Sequence, residues 1–308
     1  MKRINQSSLL ILGIFALLIA VGLAGYYLLM NQGLQSRSAA KVESINTFSW
    51  QNRQSCQFIS GQESPNDFCN LGSSEQRTPS IALIGDSYSN SYSMMMQAYE
   101  AAEPKAPAFI QMALGQCPSL LNFGPPVCQK MTNAVYAYIQ SHANINTVIL
   151  ANNWTLYANG FNYPGLSESA SDFKSKLENT ITTYQKMGKK VIVFLPPPQG
   201  SDPKSCVTRS VRISGISSIG KASDAQSCNL PLAKAIQQEG NYRQIILPIL
   251  EKMQVPVFDP FAYFCNESEC KIIDGEKILS LDGGHMSRYG TEFLVEHGKE
   301  KIDTLLIN

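Results

Sequence analysis

Ile81-Ala82-Leu83-Ile84-Gly85-Asp86-Ser87 is the stretch that decides the fold, because it passes directly from an apolar run to a serine. The short apolar run predicts a buried strand, and the glycine and polar residues after it predict a turn. A strand followed by a turn and a helix is the repeating unit of α/β proteins with a parallel sheet. Ser87 would then lie where open parallel sheets bind their ligands, beyond the carboxyl end of a strand.

The same alternation of strand and helix continues along the chain. Short apolar runs predict strands at Ser80–Gly85, Ala108–Leu114, Thr147–Ala151, Lys190–Leu195 and Val255–Asp259. The segments between and after them predict helices at Tyr92–Ala102, Gln129–His142, Ala170–Met187, Leu230–Met253 with a break near Gly240, and Ser287–Leu306. Continuous apolar strands are typical of a sheet covered on both faces. We therefore predict an α/β three-layer sandwich with a central parallel sheet of about five strands, similar to the flavodoxin architecture.

A second polar segment near the end of the chain, Asp282-Gly283-Gly284-His285, puts a carboxylate three residues before an imidazole. The sequence has only three histidines. A serine hydroxyl is a poor nucleophile until a base takes its proton, and the base works best when a carboxylate holds its tautomer. We therefore predict Ser87 as the catalytic nucleophile, His285 as its base and Asp282 as the orienting carboxylate.

Two further strand ends supply candidates for an oxyanion hole, the N–H donors that stabilise charge on a reacting carbonyl oxygen. Gly115 follows the second predicted strand and allows the backbone to approach a substrate closely. Asn152 and Asn153 follow the third strand, and either amide is a candidate donor. Because the carboxyl ends of parallel strands meet at one edge of the sheet, we expect these residues to converge with Ser87.

These segments resemble the SGNH hydrolase superfamily, which is named for its Ser, Gly, Asn and His residues. Ile84-Gly85-Asp86-Ser87 matches its first block, and Asp282-Gly283-Gly284-His285 matches its Asp-x-x-His block. Ala151-Asn152-Asn153-Trp154 stands where the family has Gly-x-Asn-Asp, so the resemblance implies an oxyanion role for Asn153, although the first and last residues of that pattern differ here. Gly115 is the candidate for the second block.

A closer resemblance is to the SGNH domain fused to membrane acyltransferase-3 proteins, and it spans residues 80 to 300 in order. It rests on Gly-Asp-Ser, on Cys117-Pro118, on the apolar segment from Val148 to Trp154 and on the stretch from Cys270 to His285. Those relatives O-acetylate polysaccharides, which implies acyl transfer to a glycan through an acyl-serine intermediate, without a cofactor. A carbohydrate O-acetylesterase with the same triad and a non-catalytic glycan-binding module are the alternatives.

The N-terminus has two basic residues followed by an uncharged run of 22 residues, Leu9–Met30. Roughly 20 apolar residues cross a bilayer, whereas a cleaved secretory signal has an apolar region of about 7–15 residues. We therefore predict a cytoplasmic tail at residues 1–8 and a single-pass inner-membrane anchor at 9–30, with the remaining chain in the periplasm or outside the cell. Cleavage near Gly22-Leu23-Ala24 is the alternative.

The eight cysteines support export, because an even number in an exported chain predicts disulfides. They fall into four sequential pairs, so nearest-neighbour pairing is the simplest prediction, with bonds Cys56–Cys69, Cys117–Cys128, Cys206–Cys228 and Cys265–Cys270. Other connectivities remain open. Cys-x-x-Cys is absent and no cysteine lies near a histidine at zinc-finger spacing, so we predict no metal site.

The remaining segments define the predicted domain organisation. Residues 31–75 are polar and indicate a linker and a disulfide-tied cap, followed by an SGNH-like catalytic domain at 76–308. The Ser/Gly-rich segment 199–229 is long for a loop, which indicates a functional or partly ordered segment. The formal net charge is +1 and the basic residues are scattered, which argues against nucleic acid as a partner. We expect a glycan acceptor, the membrane, and a multi-spanning membrane acyltransferase as acyl donor.

Overall fold

The computed structural model describes residues 6–30, 69–70, 77–163, 166–200, 203, 229–274 and 277–307. The helices in those residues are α1 Gln6–Met30, α2 Ser87–Ala102, α3 Pro126–Ser141, α4 Trp154–Tyr157, α5 Ala170–Lys186, α6 Leu232–Glu239, α7 Tyr242–Lys252, α8 Phe261–Phe264 and α9 Arg288–Leu306. The strands are β1 Cys69–Asn70, β2 Ile81–Gly85, β3 Phe109–Ala113, β4 Thr147–Ala151, β5 Gly160–Tyr163, β6 Leu166–Ser169, β7 Lys190–Phe194, β8 Leu230–Pro231, β9 Val257–Phe258, β10 Glu269–Cys270, β11 Ile273–Asp274 and β12 Lys277–Ile278.

Within the described residues, the central sheet has the strand order β1-β3-β2-β4-β7-β9. The five strands from β3 to β9 run parallel, and β1 pairs antiparallel with β3 at one edge. The register puts Gly85 beside both Ala113 and Ala151, so β2, β3 and β4 end at the same level. The predicted parallel sheet of about five strands is confirmed.

Helices cover both faces of this sheet. One apolar cluster includes buried residues of α3, α5 and α7, and a second includes buried residues of α2 and α9. Alternate residues of β2 belong to the two clusters, with Ala82 and Ile84 in the first and Ile81 and Leu83 in the second. This alternation is expected of a strand buried on both faces, and the predicted three-layer sandwich is confirmed.

The element boundaries differ from prediction mainly where a capping residue or proline acts. Helix α2 begins at Ser87 rather than Tyr92, because the Asp86 side chain accepts the Tyr88 N–H at 2.8 Å and caps the helix. Helix α3 begins at Pro126 rather than Gln129, since proline is favoured in the first turn of a helix. The predicted break near Gly240 is present between α6 and α7.

The remaining strands lie outside the central sheet. Strands β5 and β6 pair as an antiparallel hairpin that the sequence pattern does not predict. Two further two-stranded pairs, β8 with β10 and β11 with β12, lie near the end of the chain. Each strand of those two pairs is only two residues long, which is too short to produce a readable alternation of apolar and polar residues.

Two of the predicted disulfides lie within the described residues, Cys117–Cys128 and Cys265–Cys270, and the structure forms both. The predicted pairs Cys56–Cys69 and Cys206–Cys228 involve side chains outside the described residues. Most of the predicted linker and cap and most of the segment 199–229 also lie outside them.

Helix α1 contains the apolar segment found in the sequence. Its window Leu10–Tyr27 has a mean hydropathy of 2.3, and none of it is buried against the rest of the chain. By length and composition the helix can cross a membrane. An N-terminal signal sequence meets the same criteria, so both alternatives from the sequence remain.

Candidate active site

Ser87 is held at a sharp junction between β2 and α2. A Cβ on Gly85 would lie 1.8 Å from the Ala151 carbonyl oxygen, so only glycine lets β2 end this close to β4. Asp86 is the N-cap of α2, and Ser87 is the first residue of the helix. The first turn of a helix carries unpaired backbone N–H groups and partial positive charge. Ser87 therefore lies beside donors that favour an anion.

The structure brings Ser87, His285 and Asp282 together. The Ser87 Oγ lies 2.7 Å from the His285 Nε2, although the two residues are 198 positions apart in sequence. The His285 Nδ1 lies 2.7 Å from the Asp282 Oδ2. The three side chains therefore form a continuous hydrogen-bonded relay.

Asp282 determines which nitrogen of His285 carries the proton. Partial burial raises the pKa of Asp282, but hydrogen bonds from the ring and backbone of His285 and from the Gly284 N–H outweigh it and bring the pKa to about 2. The ionised carboxylate can only accept hydrogen bonds, so Nδ1 carries the proton and donates it to Asp282. Nε2 then presents its lone pair to Ser87, as a general base requires.

Two glycines, Gly283 and Gly284, shape the loop between Asp282 and His285. Gly283 has φ +88°, a left-handed conformation that favours glycine. A Cβ on Gly284 would lie 2.6 Å from the Tyr88 hydroxyl oxygen. The Tyr88 ring packs against the His285 ring with centroids 4.7 Å apart, so this loop lies tightly against the start of α2.

Asp86 connects several parts of the site through one buried carboxylate. Its Oδ1 accepts the Tyr88 N–H at 2.8 Å, and its Oδ2 accepts the Asn153 N–H and the Tyr157 hydroxyl, each at 2.9 Å. Burial raises the pKa of Asp86 to about 6, although these hydrogen bonds and the nearby His285 lower it. Asp86 thereby ties the start of α2 to the chain that follows β4.

The two asparagines after β4 have different environments. Asn152 is fully buried, and its amide accepts the Ser119 N–H at 3.0 Å and donates to the Ser119 Oγ at 2.6 Å. Asn153 lines the cavity beside Ser87, and its Oδ1 accepts from the Gln199 Nε2 at 3.1 Å. Of the two alternatives, Asn153 is therefore the one that lines the cavity.

Gly115 lies in the turn after β3 and is exposed. Among the described residues, the one that lines the cavity at this point is its neighbour Gln116, which has φ +61°. The oxyanion role of Gly115 therefore remains a prediction about its backbone N–H.

The Ser87 hydroxyl faces a cavity of about 530 Å³. Besides the relay, the residues that line the cavity include Gln116, Gln238 and Leu156. Amide groups both donate and accept hydrogen bonds, and Leu156 adds an apolar surface that is 47% exposed. The cavity therefore places the Ser87 hydroxyl beside groups that can donate and accept hydrogen bonds and pack against a ligand.

The family model described as the SGNH domain (fused to AT3 domains) matches residues 55–298 of the sequence. The chain belongs to this SGNH-domain family. The periplasmic domain of a lipopolysaccharide acetyltransferase from Salmonella ser. Paratyphi A is similar to it, with 17% identity, a TM-score of 0.62, and coverage of 86% of this chain and 99% of that domain. A carbohydrate acetylesterase from Sinorhizobium meliloti is similar over 74% of this SGNH-family chain and 100% of its own, with 13% identity and a TM-score of 0.43. No curated protein sequence matches the chain significantly.

Proposed function

We propose that this SGNH-family protein is a serine-dependent O-acyltransferase that transfers an acetyl group to a hydroxyl of a cell-surface or secreted polysaccharide. The observation that carries the proposal is the relay from Ser87 through His285 to Asp282, with both distances at 2.7 Å, beside an open cavity. The acetyltransferase domain from Salmonella with a similar fold supports acyl chemistry.

The first half-reaction forms an acyl-serine. The His285 Nε2 takes the proton from Ser87 as the serine oxygen attacks the acyl carbon, and Asp282 stabilises the imidazolium that forms. The negative carbonyl oxygen accepts hydrogen bonds from the Ser87 N–H, the Asn153 amide and the Gly115 N–H. The bond to the leaving group then breaks, and the imidazolium gives that group its proton.

The second half-reaction transfers the acyl group. A sugar hydroxyl gives its proton to His285 and attacks the acyl carbon. The bond between the acyl carbon and the Ser87 oxygen then breaks, so a new ester forms and the imidazolium returns the proton to Ser87. The amides of Gln116 and Gln238 supply hydrogen bonds to further sugar hydroxyls, and Leu156 packs against an apolar face of the sugar.

The N-terminal helix and the family support a proposal for the acyl donor and for the location of the protein. Helix α1 acts as an uncleaved anchor in the inner membrane and holds the SGNH domain in the periplasm. Disulfides Cys117–Cys128 and Cys265–Cys270 support an oxidising compartment. Fusion of related SGNH domains to AT3 domains supports a multi-spanning membrane acyltransferase as the donor.

A carbohydrate O-acetylesterase is the second candidate, and one observation favours it. The Asp282 side chain is 48% exposed, so water can approach the relay. Water would then take the place of the sugar hydroxyl at the acyl-serine, and acetate would be released. The residues of the relay have the same roles in both reactions.

The test uses the full chain in detergent with a chromogenic acetyl ester, with and without a soluble glycan, and analyses the products by mass spectrometry. A transferase acetylates the glycan, whereas an esterase releases only acetate. Ser87→Ala should lower the rate by at least about 10³-fold, because it removes the nucleophile. Ser175→Ala, at an exposed serine of α5, is the matched control and should keep the rate. Unchanged glycan acetylation in cells carrying Ser87→Ala would overturn both enzymatic proposals.

A further inference from the structure

The proposed oxyanion hole requires one orientation of the Asn153 side chain. An asparagine amide has an oxygen that accepts hydrogen bonds and an NH₂ group that donates them, and the two ends have almost the same shape. A developing oxyanion is stabilised only by the NH₂ end. Packing alone therefore does not select the useful orientation, and a hydrogen-bonding neighbour must do so.

In this structure, Gln199 is the neighbour that binds the side-chain amide of Asn153. Its Nε2 lies 3.1 Å from the Asn153 Oδ1 and 3.4 Å from the Thr155 Oγ1. Asp86 accepts the backbone N–H of Asn153 at 2.9 Å. With its oxygen bound by Gln199 and its backbone bound by Asp86, Asn153 has its NH₂ group left for the cavity.

The backbone on both sides of Gln199 is restrained. Residues 196–198 are three consecutive prolines after β7, each with a restricted φ. The Gly200 N–H donates to the Gly283 carbonyl at 2.6 Å, which joins this segment to the loop that carries His285. Gln199 is thereby anchored on both sides, at the edge of the site.

We propose that Gln199 is a positioning residue, which orients the Asn153 amide so that its NH₂ group donates to the oxyanion during acyl transfer. Gln199 lines the same cavity as Ser87, and the proposed role is exerted through Asn153. The inference rests on the proposed acyl-serine chemistry.

The decisive variant is Gln199→Glu, which keeps the shape but replaces the donor with an acceptor. The Asn153 amide must then turn its NH₂ group toward the new carboxylate, and its oxygen faces the oxyanion. We expect kcat for the chromogenic ester to fall by about 10²-fold with KM little changed, as for loss of one oxyanion donor. Gln199→Met removes the donor without adding a charge, so we expect a smaller loss of kcat. Gln237→Glu makes the same change at an exposed glutamine of α6, and it should leave kcat within about 2-fold, as most surface substitutions do.

A double-mutant cycle with Asn153→Ala separates positioning from a general structural effect. Once the amide is absent, Gln199→Glu and Gln199→Met should lower kcat no further, because effects that act through one group are not additive. Equal losses with and without the Asn153 amide, or unchanged kcat in both Gln199 variants, would overturn the inference. An active Ser87→Ala variant would instead refute the proposed function, so the two failures are distinguishable.

Discussion

The relay carboxylate Asp282 and the neighbouring carboxylate Asp86 have opposite electrostatic environments. Asp282 accepts several hydrogen bonds, and its pKa is lowered to about 2. Asp86 is buried, and burial raises its pKa to about 6. Asp282 is therefore a permanent anion near neutral pH, whereas Asp86 changes charge in the mildly acidic range.

This difference predicts the effect of Asp86 on stability. The pKa of Asp86 rises from 3.8 to about 6 on folding, so the folded state binds more protons than the unfolded state between those pH values. The contribution of Asp86 to the free energy of unfolding is fully present below its pKa in the unfolded state. That contribution is lost as the pH rises through its pKa in the folded state. Relative to Asp86→Asn, which cannot ionise, the wild type should lose up to about 3 kcal/mol of unfolding free energy between pH 4 and pH 7.

Urea denaturation at several pH values measures this loss. The contributions of the other carboxylates to the pH dependence cancel when the wild type and Asp86→Asn are compared, because both proteins contain them. A difference in unfolding free energy that stays constant from pH 4 to pH 7 would contradict a raised pKa of Asp86.

Local sequence identified Ser87, Asp282 and His285 because each lies in a short motif beside a predicted element. It did not identify Gln199, which lies at the start of a segment with little readable periodicity. Its role depends on a contact with Asn153, 46 positions away. Contacts of that kind are formed by tertiary packing and leave no pattern in local sequence.

At the scale of elements, the loop before α9 depends on the close approach of Gly284 to Tyr88. Gly284→Ala should displace the loop and lower kcat at least about 10-fold, because misplaced catalytic groups are costly. Tyr88→Phe removes the hydroxyl oxygen that a Cβ would meet at 2.6 Å. We expect the double variant to be more active than Gly284→Ala alone.

Ester hydrolysis by the two single variants and the double variant measures this rescue. The Tyr88→Phe single variant supplies the reference rate for the loss of the hydroxyl itself. An additive loss in the double variant would show that the hydroxyl is not what excludes a side chain at residue 284.

The Cys117–Cys128 disulfide constrains the loop after β3. It closes a loop with a sequence separation of 11, which carries Leu120 and Phe123 into the core. The Cys117→Ser/Cys128→Ser variant should lose about 2–3 kcal/mol of unfolding free energy, because its unfolded chain is less constrained. Urea denaturation measures the loss.

The Cys265–Cys270 disulfide offers a comparison, since its sequence separation is only 5. A shorter loop constrains the unfolded chain less, so the corresponding double serine variant should lose less stability. A larger loss from the shorter loop would contradict this entropic explanation.

At the scale of the whole molecule, the proposal that helix α1 is a membrane anchor predicts where the full chain is found. With 18 consecutive residues at a mean hydropathy of 2.3, an uncleaved helix should keep the full chain in the membrane fraction after an alkaline carbonate wash. Mass spectrometry of the N-terminus should find residues 1–30 intact. A soluble protein that begins after Gly22-Leu23-Ala24 would instead indicate a cleaved signal.

The sequence by itself determined the fold class, because alternating apolar strands and helices admit few ways to bury both faces of a sheet. It also identified the candidate nucleophile, base and carboxylate, since each residue type has a distinct chemistry. Tertiary structure alone decided that Asn153 rather than Asn152 lines the cavity and that Gln199 contacts it. The physical reason is that backbone periodicity is local, whereas the orientation of a polar side chain depends on hydrogen-bond partners that folding brings from distant parts of the chain.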